Sequence, residues 1–70
     1  MRRYVVSTVT PEGKRYVCLG VEDYNLETHP DGIVTFPSLE MAQSFIKERL
    51  GHLSKYVLVP EIYLFIYSKL

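Results

Sequence analysis

Ile62-Tyr63-Leu64-Phe65-Ile66-Tyr67 places a large apolar side chain at every position of a six-residue run. β-Branched and aromatic residues favour extended backbone, and successive side chains of a strand point to opposite faces, so the run predicts a strand that is apolar on both sides. A strand with one wet face would alternate apolar with polar. Both faces of the sheet holding this strand therefore need cover.

Working back from that strand, one segment reads as helix. Leu39, Ala42, Phe45, Ile46 and Leu50 recur at helical spacing, while Glu40, Gln43, Ser44, Lys47 and Glu48 lie away from that stripe. Ser38 stands where an N-cap hydroxyl accepts from an orphan backbone N–H, and Glu40 sits at the positive end of the helix dipole. Gly51 stands where a left-handed cap would end the helix. The spacing thus predicts a helix over Ser38 to Leu50.

The rest reads as strands and turns. Arg3 to Val9 and Arg15 to Val21 are β-branched and aromatic runs separated by Thr10-Pro11-Glu12-Gly13-Lys14, a turn sequence that predicts a hairpin. Glu22 to Gly32 is polar and reads as a loop, after which Ile33-Val34-Thr35-Phe36 predicts a short third strand stopped by Pro37. Beyond the helix, Tyr56 to Val59 and Ile62 to Tyr67 are extended segments divided by Pro60, which marks an edge position, a bulge or a bend. The expected fold is a single α+β domain over residues 1–70: a small, mostly antiparallel sheet in the order β-β-β-α-β with one helix packed on one face.

A helix of that length is roughly 18 Å long and 10 Å wide. Four strands make a sheet of roughly 19 Å by 19 Å, so one helix covers about half of one face. Yet Val17, Leu19 and Val21 oppose Tyr16 and Cys18, and Tyr63, Phe65 and Tyr67 oppose Ile62, Leu64 and Ile66. The missing layer is expected to come from a second copy or another protein. Because tyrosine keeps a polar contact for its hydroxyl in an interface, the isoleucine side is expected to meet the helix, and Tyr56, Tyr63, Phe65 and Tyr67 are the expected contact residues.

Composition limits the alternatives. Seventy residues form one small domain, near the size at which a core alone offsets chain entropy. Eight basic and eight acidic residues balance, so no net field favours nucleic acid or an anionic membrane. The acids cluster: Glu22, Asp23, Glu27, Asp31 and Glu40 occupy residues 21–40 with no base among them. Cys18 is the single cysteine, which excludes an internal disulfide and fits a reducing cytoplasm. Met1-Arg2-Arg3 resembles the start of a secretion signal, but the apolar stretch behind it is broken by Ser7 and Thr8 and stops at Pro11. An unprocessed intracellular protein without a membrane span is expected.

No residue set specifies a reaction. Asp23, Asn25, Glu27 and His29 alternate as oxygen ligands of a calcium loop can, but Thr28 stands where such a loop needs glycine and Val34 where it needs glutamate. His29 and His52 lack zinc spacing, and nothing near Cys18 in sequence would lower its pKa. Glycines at 13, 20, 32 and 51 fit no phosphate-binding pattern. No catalytic residue, metal or cofactor is expected, and the chain reads as non-enzymatic. A rival reading is a nucleic-acid-binding regulator using Arg2, Arg3, Lys14, Arg15 and strand tyrosines, although no aromatic-platform motif accompanies them.

Phe36-Pro37-Ser38-Leu39-Glu40-Met41-Ala42, entering a helix after a short strand and preceded by a tyrosine-rich hairpin, resembles small accessory proteins of tailed phages and prophages. In these an aromatic strand end meets an S-x-E-x-A helix start and a final strand closes the sheet. Most such proteins have no assigned function and some bind and inhibit host proteins. The resemblance implies a partner-binding role, with a host protein as one partner, and transfers no site residue.

Overall fold

The structure, a computed structural model, describes residues 2–28 and 32–63. Their elements are β1 (Arg3–Thr10), β2 (Gly13–Leu19), β3 (Tyr24–Glu27), α1 (Leu39–Arg49), a 3-10 turn (Gly51–Leu53) and β4 (Val59–Tyr63). The strands form one sheet in the order β3-β2-β1-β4, with every ladder antiparallel. This is the expected α+β architecture, β-β-β-α-β with a single helix. Expectations resting on His29, Leu64, Phe65, Ile66 and Tyr67 concern residues outside the described ones.

The hairpin forms where its turn residues place it. Thr10 pairs with Gly13 across Pro11 and Glu12, and the Thr10 hydroxyl donates to the Gly13 carbonyl at 2.8 Å. Gly13 has φ +122°, a conformation that a side chain would oppose. At the other end of β2, Gly20 donates its N–H to the Asp23 carbonyl. A Cβ on Gly20 would lie 2.5 Å from that carbonyl oxygen, so only glycine permits this reversal into β3.

The third strand is a correction. Tyr24-Asn25-Leu26-Glu27, expected to be loop, pairs with β2 in the register Leu19↔Tyr24 and Val17↔Leu26. Its alternation of apolar and polar side chains spans only two cycles, too few to stand out beside the surrounding acids. Ile33 to Phe36, expected to be that strand, instead makes two isolated bridges, Cys18↔Ile33 and Tyr4↔Phe36. Leu19 N–H donates to Gly32 and Val34 N–H to Val17, while Tyr4 and Phe36 exchange both backbone bonds at 2.9 and 2.8 Å. The segment therefore enters the fork where β1 and β2 diverge beyond Ser7 and Tyr16. Since β1 and β2 run in opposite directions, a segment antiparallel to each must turn between its two bridges.

These bonds set the phase of the sheet. Tyr4 directs its N–H and C=O to Phe36, so Tyr4↔Ile62, and by alternation Val6↔Pro60, are the non-hydrogen-bonded pairs of the β1–β4 ladder. Pro60 thus turns its ring nitrogen away from β1, to the side where no strand follows among the described residues, and the missing N–H costs no bond of the β1–β4 ladder. Of the three options the sequence leaves for Pro60, the edge position is realised. Strand β4 starts only at Val59, because Tyr56 is held in the preceding turn by its N–H bond to the Leu53 carbonyl. The expected extended segment Tyr56 to Val59 is corrected to that extent.

Opposed residues share a face. Tyr4, Val6, Val17, Leu19, Tyr24, Leu26 and Ile62 lie on the side that carries α1, and Val6, Val17, Phe36, Ala42 and Leu50 form its buried core. Phe45 packs 4.9 Å from both Tyr24 and Phe36, edge-on to the first. Ser38 caps α1 as expected, its hydroxyl accepting from Met41 N–H at 3.2 Å. Gly51 does not adopt the expected left-handed cap. Leu50 is buried and the chain continues without positive φ into the 3-10 turn, in which Leu53 N–H donates to the Leu50 carbonyl and Ser54 N–H to the Gly51 carbonyl.

Leu50 is 1% exposed whereas Phe45 is half-buried. Leu50→Ala should lower stability by about 2–5 kcal/mol. Phe45→Ala should cost less than the roughly 3–5 kcal/mol typical of a fully enclosed ring. Urea unfolding of both variants checks the order, and a larger loss at Phe45 would mean that the core is not centred on Leu50.

Candidate functional site

The face turned away from α1 carries Arg3, Val5, Ser7 and Val9 from β1, Lys14, Tyr16 and Cys18 from β2, Asn25 and Glu27 from β3, and Val59, Glu61 and Tyr63 from β4. Of these, Val5, Ser7 and Cys18 are buried. The two-sided apolar sheet expected from the sequence is only partly present among the described residues. The middle of this face is polar.

Ser7 is opposite both Tyr16 and Val59, and its hydroxyl donates to Glu61 Oε2. Lys14 Nζ donates to Glu61 Oε1 at 2.9 Å and lies 5.6 Å from the centre of the Tyr16 ring. A single carboxylate thereby joins the hairpin to β4. Partial burial pushes the Glu61 carboxyl up, but hydrogen bonds from Lys14 and Ser7, with the charge of Lys14, outweigh this and hold it below its ordinary value. The bond to Glu61 raises Lys14 against the lowering effect of burial.

At the hairpin end, beyond the Ser7↔Val59 pair, the margin of this face becomes aliphatic. Thr8, Val9, Lys55, Tyr56, Val57 and Val59 line a shallow recess of about 360 Å³ there. Val9 and Val57 are each 80% exposed and Val59 47%, so three valines meet water around one depression. Scattered exposed aliphatics are ordinary, whereas here three of them border a single depression. Lys55 places its ammonium 5.3 Å from the centre of the Tyr56 ring at the margin.

Of the expected contact residues, Tyr56 lines this recess. Tyr63 is half-buried on the same face at the opposite end of β4, paired with Arg3, while Phe65 and Tyr67 lie outside the described residues. Ile62 lies opposite Tyr4 on the helix side. Val9, Val57 and Val59 do not stand out in the sequence, because Val9 meets the other two only through the long-range pairing of β1 with β4.

Arg3, Lys14 and Arg15 do not gather. Arg3 donates from Nε and Nη2 to Thr35 Oγ1 at 3.2 and 2.7 Å, Lys14 is paired with Glu61, and Arg15 lies on the opposite face at Thr8. Lys14 is paired in register with Val9, six residues and about 20 Å from Arg3 along β1. Cys18 is enclosed, its thiol pushed up by burial and by the nearby Glu27 carboxylate despite a backbone hydrogen bond at Glu27. That is the opposite of an activated nucleophile. Among the described residues no group of three or more His, Cys, Asp or Glu is placed to hold a metal ion.

The signs of the two shifts define a pH dependence. The lowered Glu61 contributes stability that is present above its ordinary 4.5 and lost as pH falls through its folded value. The raised Lys14 contributes stability that is complete below its ordinary 10.5 and lost as pH rises through its folded value. In urea unfolding across acid pH, Glu61→Gln should be less stable than the parent at neutrality and converge on it in acid. A constant gap between the two would remove the ionised Glu61 from the account.

No helix among the described residues is long and apolar enough to cross a membrane. Comparison with known protein families, with curated proteins and with solved structures finds no match to this chain.

Proposed function

We propose that this chain is a non-enzymatic protein-binding module that associates with a second copy through the face turned away from α1, with the recess at Val9, Val57 and Val59 at the centre of the contact. The observation that carries this reading is the exposure of three valines around one depression beside the half-buried Tyr56. Burying exposed aliphatic side chains is favourable by roughly 25 cal/mol per Å² of apolar surface, and a rim containing Lys55 and the Lys14–Glu61 pair supplies charges of both signs for a self-complementary contact.

The β4 edge is a poorer route to the same end. Pro60 faces outward there and cannot donate to an added strand, a common means of blunting a sheet edge. Association through the face is therefore favoured over continuation of the sheet across β4. The resemblance to phage accessory proteins extends the proposal to a host protein as an alternative occupant of the recess, within the cytoplasm.

Light scattering coupled to gel filtration tests this. The parent chain should behave as a dimer at tens of micromolar, and Val57→Asp should be a folded monomer, since Val57 is too exposed to support the core. A monomeric parent at that concentration, with no partner protein whose binding is lost in Val57→Asp, would falsify the proposal.

A further inference from the structure

The opposite edge of the sheet is closed in another way. Leu19 N–H and the Val17 carbonyl are used toward residues 32 and 34, so by alternation Cys18↔Asn25 and Tyr16↔Glu27 are the hydrogen-bonded pairs of the β2–β3 ladder. Tyr24 and Leu26 therefore direct their N–H and C=O groups outward. Both outward groups of Tyr24 are taken by side chains: its N–H donates to Asp23 Oδ1 at 2.7 Å, and its carbonyl accepts from His52 Nε2 at 2.7 Å. The carboxylate stands where the carbonyl of a neighbouring strand would be, and the imidazole N–H where its amide would be. His52 and Asp23 lie 3.7 Å apart, closing the clamp on itself.

We propose that the β3 edge is a strand-addition site for an extended segment with alternating basic and apolar residues, shut in the free protein by the Asp23–His52 clamp on Tyr24. The residues of β3 select that occupant. Asn25 and Glu27 lie on one face and Tyr24 and Leu26 on the other, so an added strand meets carboxylates with one set of side chains and apolar groups with the next. Asp23 and Glu27, both exposed, stand near the two ends of β3. In antiparallel self-pairing centred on Asn25, Asp23 of one copy would oppose Glu27 of the other. Like charges directly opposite disfavour a second copy and favour a basic segment.

The test is a titration with the capped peptide acetyl-Lys-Val-Lys-Val-Lys-Val-Lys-amide, followed through the amide signals of Tyr24 and Leu26. Because the peptide must displace His52 from the Tyr24 carbonyl, His52→Ala should bind it roughly three- to tenfold more tightly than the parent chain. Full N-methylation of the peptide keeps its charges but removes its donors, and should abolish binding to both proteins. Equal affinity of parent and His52→Ala, or no loss on N-methylation, would overturn the proposal; the second comparison holds in the parent alone, whatever His52→Ala does to folding. Val57→Asp should bind the peptide as the parent does. Loss of binding in that variant would place the peptide in the valine recess instead, whereas a monomeric parent would bear only on self-association.

Discussion

The reciprocal pair of backbone bonds between Tyr4 and Phe36 is the constraint on which the rest of the sheet depends. A strand residue offers its N–H and C=O to one side only, so using them on Phe36 decides which positions of β1 face β4 and which β4 residues face outward. Pro60 becomes tolerable for that reason. Had the phase been shifted by one residue, its missing N–H would fall inside the ladder and every side chain of β4 would change face. The same bonds bring Phe36 against Phe45 and deliver the chain to Ser38 at the position where α1 must start. A four-residue connection thus joins the fork, the core and the helix entry.

The face without a helix is organised by charge as much as by apolar contact. Ser7 is buried and its hydroxyl is satisfied by Glu61, whose other oxygen is held by Lys14. An unsatisfied hydroxyl at that depth would cost about 1–3 kcal/mol, so the carboxylate contributes to stability whatever it does in recognition. Lys14 and Glu61 are themselves partly exposed, and their mutual attraction alone contributes little. What sets this face apart is a satisfied polar centre beside an aliphatic recess. In the proposed dimer the recess would be the dry part of the contact and this polar centre part of its margin.

The helix, its Ser38 cap and the hairpin were legible in the sequence because each carries a local signal: a 3.6-residue stripe, a capping side chain, a Pro-x-Gly turn. The third strand was not. Tyr24 to Glu27 is held by pairing with β2 and by the close approach at Gly20, neither of which a four-residue alternation reveals. Ile33 to Phe36 has strand-forming side chains but is divided between two partners, a consequence of how β1 and β2 diverge. Tyr56 stood out in the sequence and lines the recess, whereas the Val9–Val57–Val59 group joins parts of the chain brought together by the β1–β4 register. The Asp23–His52 clamp was hidden for the same reason: its two side chains meet around a carbonyl in a strand the sequence did not announce.

Strand β1 lies inside the sheet, yet one of its neighbours is the hairpin partner and the other is the last strand described, with Arg3 opposite Tyr63. During synthesis the hairpin can close as soon as β2 emerges, but one side of β1 stays unpaired until almost the whole described chain has been made. Over that interval Arg3 to Ser7 is a bare strand edge containing two valines that are fully enclosed at the end of folding. The nascent chain is then most exposed to mispairing with its neighbours. Pairing of β1 on both sides therefore waits for β4, and the ribosome sets the earliest moment at which it can occur.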